Sequence, residues 1–134
     1  MIQNVIDGFK SLLGDFFPVD AGEFEADLRP SGAVAIAISN LTPVQTNVPD
    51  WILTVDFMGL TTADADPDKR LVNALFDGVS AALAGLTIAE IAEATGEKAS
   101  LFIPFSAVAP SGESGRQFNI QYQLFVQDFN QKGE

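Results

Sequence analysis

The sequence predicts an α+β fold, a largely antiparallel sheet with two main amphipathic helices packed on one face, in a single domain spanning residues 1–134. Three patterns carry this expectation. From Trp51 to Met58, the residues Trp51, Leu53, Val55 and Phe57 alternate with Ile52, Thr54, Asp56 and Met58, which is the period of a strand with one dry face. Leu71, Leu75, Val79, Leu83 and Leu86 then recur at near-helical spacing behind Asp64-Ala65-Asp66-Pro67-Asp68, an acidic cap followed by a proline suited to the first helical position. That spacing predicts a helix over 67–86. Ile2, Val5, Ile6, Phe9, Leu12, Leu13, Phe16 and Phe17 repeat every three or four residues, so a second amphipathic helix is expected over 2–16, stopped by Pro18.

The remaining elements follow in chain order. Phe24, Ala26 and Leu28 alternate with Glu23, Glu25, Asp27 and Arg29, the pattern of an edge strand with one wet face. Pro30-Ser31-Gly32 is turn chemistry, and residues 33–38 are apolar on both faces, as in a central strand. Breakers crowd 39–50, where Asn40, Pro43, Asn47 and Pro49 predict a long loop. Thr87-Ile88-Ala89-Glu90 has capping-box spacing and opens a short helix that ends at Gly96. Residues 101–108 read as a strand in which Pro104, unable to donate to a ladder, marks an edge or a bulge. After the turn residues 110–115, the last strand, 118–129, sets Phe118, Ile120, Tyr122, Leu124 and Val126 against an uncharged face of Asn119, Gln121, Gln123 and Gln127.

Composition narrows the chemistry. The chain has no cysteine and no histidine, which excludes disulfides, the usual zinc sites and every nucleophile that relies on an imidazole base. Eighteen acidic residues against seven scattered basic ones give a net charge of −11, which opposes binding to nucleic acid and to anionic membranes. The first residues lack a secretory signal, and no apolar run approaches transmembrane length.

Individual motifs fail on spacing. Asp64, Asp66 and Asp68 match the start of a calcium loop, but Lys69 and Leu75 stand where glycine and the closing glutamate belong. Gly112-Glu113-Ser114-Gly115 is one residue too short for a nucleophile elbow. Glu23, Glu25 and Asp27 belong to a solvated strand face. Asp56, in the middle of an apolar strand, requires a partner, for which Arg29, Arg70 and Arg116 are the candidates. No catalytic, cofactor or metal residue emerges, and a non-enzymatic role is expected.

The order helix, three strands, long helix, two strands, with Thr54-Val55-Asp56-Phe57 leading into the long helix and 118–126 closing the chain, resembles the tail terminator (tail completion) proteins of long-tailed phages and prophages. The resemblance implies a structural protein that forms a homo-oligomeric ring, commonly a hexamer, at the tail end. It implies other tail or head-tail connector proteins as partners, with assembly in the bacterial cytoplasm before incorporation in the virion. Leu41, Val44 and Val48 in the 39–50 loop, with Gln121, Gln123 and Gln127, are the expected contact residues. Two alternatives stand beside it: an acidic chaperone of the type III secretion kind, and a small-ligand or enzymatic α+β domain.

Overall fold

A sheet of four strands in the order β1-β2-β4-β3, antiparallel at every pairing, forms the frame. The structure, a computed structural model, describes residues 2–14, 33–45, 49–61, 66–110 and 116–128. The described elements are α1 (Ile2–Leu12), β1 (Ala33–Pro43), β2 (Trp51–Leu60), α2 (Arg70–Ala84), α3 (Ile88–Thr95), β3 (Lys98–Val108) and β4 (Gln117–Gln127). This is the expected α+β class. The expected strand over 23–29, the turn at 30–32 and the loop at 111–115 lie outside the described residues.

The core forms on one side of the sheet, where strand parity and helix stripes meet. Leu53, Val55 and Phe57 of β2 pair across to Leu124, Tyr122 and Ile120 of β4, and the helices bring Val5, Phe9, Val72, Val79, Leu83 and Ile91 onto them. Four rings close the centre: Phe9 lies edge-on to Phe57 and stacks with Phe102, while Tyr122 stacks with Phe102 at 4.4 Å and meets Phe57 edge-on. Burial raises the pKa of the Tyr122 phenol above its ordinary value. Two glycines permit close approach. A Cβ on Gly8 would stand 2.7 Å from the Ala94 carbonyl, so α1 rests directly against α3, and a Cβ on Gly59 would collide with the Phe118 ring.

Element boundaries depart from the sequence pattern where tertiary contacts intervene. β1 runs on to Pro43, because a bulge at Ser39 restores the register and lets Asn40, Leu41 and Thr42 pair with Thr54, Leu53 and Ile52. The long 39–50 loop therefore shrinks to a connection after Pro43. β1 also stands at the margin of the described sheet, not at its centre. β3 starts at Lys98, and the expectation for Pro104 holds in both senses, since β3 is at the edge of the described sheet and its register shifts between Pro104 and Ser106.

Helix α2 begins at Arg70, three residues after the expected Pro67, and ends at Ala84. The reason is Asp66. Its carboxylate accepts the N–H groups of Leu71 at 2.8 Å and Val72 at 2.9 Å and the Thr61 hydroxyl at 2.8 Å, capping the helix from across a turn in which Lys69 is left-handed. Arg116 fastens the same turn to the start of β4, donating from Nε to the Asp66 carbonyl and from Nη2 to the Pro67 carbonyl. Burial pushes the Asp66 carboxyl up, but the hydrogen bonds from Leu71, Thr61 and Val72, with the nearby Arg116 charge, outweigh it and leave the pKa lowered. The stripe on α2 is rotated as well: Val72, Val79 and Leu83 are buried, whereas Leu71, Leu75 and Leu86 are half-buried. The capping box of α3 forms as its spacing predicts, with Thr87 and Glu90 exchanging hydrogen bonds and Gly96 ending the helix in the left-handed region.

Candidate interaction face

The described helices share one side of the sheet, and no described helix packs on the other. Four rows of side chains cross it. Thr42, Ile52, Phe125 and Leu101 align in the first, Asn40, Thr54, Gln123 and Ile103 in the second, and Ala37, Asp56, Gln121 and Ser106 in the third. Ala35, Met58, Asn119 and Val108 complete the set. The four strands contain only two charged residues, Asp56 and Lys98. Among the described residues of this chain of net charge −11, Asp7, Asp77, Glu90 and Glu93 are exposed on the helices.

Among the described residues, Asp56 is the one carboxylate on this face, and it is 8% exposed. Two of its expected ionic partners do not meet it, since Arg70 pairs with Asp68 and Arg116 holds the Asp66 turn; the third, Arg29, lies outside the described residues. Neutral donors hold it instead. The Ser39 hydroxyl, displaced onto it by the β1 bulge, donates at 3.1 Å, and the Gln121 amide donates at 2.9 Å. Both bonds go to Oδ1. Sequence reading missed Ser39 because its approach depends on a one-residue bulge, which leaves no periodic signal.

Of the residues expected to form a contact surface, Gln121 and Gln123 sit at the middle of the open face, half-buried, and Gln127 is exposed at its end beside Lys98. Val44 is 47% exposed just after β1, where its N–H donates to the Asp50 carbonyl. Leu41 is not on this surface. The Ser39 bulge turns it to the helix side, where it packs against the core, and Val48 lies outside the described residues. The apolar contribution comes instead from β3, whose Leu101 and Val108 are 46% and 58% exposed; Phe105, at the register shift, is 58% exposed. Beside Phe105, a groove of about 360 Å³ runs between β3 and α2, lined by Ser80, Pro104, Ile120 and Tyr122 among others.

None of the groove's lining residues is a carboxylate, lysine or arginine, so acid-base chemistry has no donor pair there. Among the described residues no cluster of three or more metal-ligating side chains occurs. Asp66 and Asp68 of the failed calcium motif serve the α2 cap and a surface pair with Arg70, and Asp64 is outside the described residues. No single described helix is long and apolar enough to cross a membrane. No protein-family model matches the chain, and no curated protein sequence matches it.

Proposed function

We propose that this chain is a structural, non-enzymatic assembly subunit of the phage tail-terminator type, which closes a ring with copies of itself at the tail end and receives the head-tail connector. The observation that carries the reading is the neutral open face on a strongly acidic chain. Self-association through any charged surface would set like charges together, whereas the sheet face lets large areas meet without that cost. A ring requires two different patches per subunit. The sheet face with Gln121 and Gln123 is one, and the hairpin end at Val44, just beyond the Thr42 and Ile52 row of that face, is the other. Such a subunit is made in the bacterial cytoplasm and ends in the virion, with other tail or connector proteins as partners and no cofactor, nucleic acid or membrane required.

One observation favours a second reading. Phe105 stands exposed beside an apolar groove on an edge strand, a surface that fits an extended peptide and hence a secretion-chaperone-like module.

Light scattering over a range of concentrations, followed by electron microscopy with and without purified tail tubes, separates the two. The ring reading expects closed oligomers, on their own or on tube ends, that are lost in both Gln123→Glu and Val44→Asp. A stable two-fold dimer that binds extended peptides and ignores tubes would replace it with the chaperone reading.

A further inference from the structure

The groove of about 360 Å³ between β3 and α2 lies where the register of β3 shifts between Pro104 and Ser106. Pro104, Phe105 and Ile120 give it apolar walls, and Tyr122 and Ser80 bring hydroxyls. Tyr122 is 9% exposed, and its ring is fixed by stacking on Phe102 and by an edge contact with Phe57. Neither its hydroxyl nor that of Ser80 has a hydrogen-bond partner among the described residues. Asn119 Oδ1 is the fully enclosed orphan among them, so the Tyr122 hydroxyl is not sealed into the core and opens on the groove that its residue lines. A buried phenol ordinarily finds a partner. This one is held rigid and, because burial raises its pKa, stays protonated, with its donor unused.

We propose that this groove binds a small uncharged aromatic molecule whose oxygen or nitrogen accepts a hydrogen bond from the Tyr122 hydroxyl. Size, charge and shape specify the occupant. The volume stands at the low end of the roughly 300–1,000 Å³ of small-molecule sites, room for one ring with a short polar substituent. Its described lining carries no charge and the chain carries −11, so an anion is disfavoured, and no carboxylate lines the groove to hold a cation. Pro104 and Phe105, the latter 58% exposed, offer faces on which a flat ring can lie. An extended peptide would instead need the edge ladder of β3, which is interrupted by Pro104, lacking an N–H, and by the shifts between Ala99 and Leu101 and between Pro104 and Ser106. The inference goes beyond the ring reading and does not depend on it.

Titration of the ¹⁵N-labelled full chain with three probes, followed by NMR, tests this. N-methylbenzamide has the ring and the acceptor, toluene the ring alone, and benzoate adds a negative charge. The amide is expected to bind with a dissociation constant on the order of millimolar, shifting the signals of Phe105, Ser106 and Tyr122, and to bind more tightly than either of the others. Tyr122→Phe, which removes only the hydroxyl, should weaken the amide about threefold to tenfold, the loss of one neutral hydrogen bond, and leave toluene unchanged. Phe105→Ala, at an exposed position, should weaken both. If Tyr122→Phe fails to fold, the preference of the unmodified chain for the amide over toluene carries the test. No binding of the amide at millimolar concentration, binding indifferent to Phe105→Ala, or equal affinity for amide and toluene would overturn the proposal, as would an amide affinity unchanged in a folded Tyr122→Phe.

Discussion

Asp66 concentrates more of the fold's bonding than any other polar side chain described. Its carboxylate joins Thr61, Leu71 and Val72, and its carbonyl receives Arg116 from the start of β4, beside Thr61. Because its pKa is lowered in the folded chain, its contribution to stability is present above the unfolded carboxylate value of about 3.9 and is lost as pH falls through the lower folded value. Asp66→Asn is accordingly expected to lower the melting temperature at pH 7, with the gap to the unmodified chain closing as pH drops below about 4. A gap that is constant with pH would show that the charge is not what matters. The sequence made an aspartate cap at this position legible, since acid before proline is a local signal. It could not reveal the Arg116 contact, which spans fifty residues. Apolar residues divide in the same way. Leu83→Ala, at a position 1% exposed, should cost about 2–5 kcal/mol, and Leu75→Ala, half-buried on the same helix, roughly 1–2 kcal/mol. Equal costs in chemical denaturation would mean that the helix is rotated from the position described.

At the scale of elements, what the sequence made readable was the period, and what it concealed was the interruptions. Every strand expected from alternation within the described residues is present, and the face assigned to Phe118, Ile120, Tyr122, Leu124 and Val126 is the buried one. Bulges at Ser39, between Ala99 and Leu101 and between Pro104 and Ser106 reset the parity, and only Pro104 announced one of them. That is why Leu41 moved from the expected contact surface to the core side while Gln121 and Gln123, on an uninterrupted strand, stayed where alternation put them. The short helix α3 was legible because both its ends carry local chemistry. Thr87→Ala removes the capping box and should cost about 0.5–2 kcal/mol, measured by thermal or urea unfolding. An unchanged stability would indicate that packing of Ile91 and contact with α1 alone hold α3 in place.

For the molecule as a whole, the order β1-β2-β4-β3 sets two hairpins side by side. The pairs within β1–β2 and within β3–β4 join residues close in sequence, but the central ladder runs from Leu60 with Gln117 to Trp51 with Val126. Closing so long a segment is entropically slower than forming a hairpin, which takes about 1–10 μs. The chain is therefore expected to assemble from two separately formed ribbons that zip together along β2 and β4 once α2 and α3 have folded between them. Pulse-labelling hydrogen exchange during refolding should find amides of the β1–β2 and β3–β4 pairs protected before those bonded between β2 and β4. The opposite order would rule out this route. Until the ribbons join, β2 and β4 each present a bare apolar edge, so the same arrangement that builds a continuous sheet makes the newly synthesised chain most prone to misassociate in the interval before its midline closes.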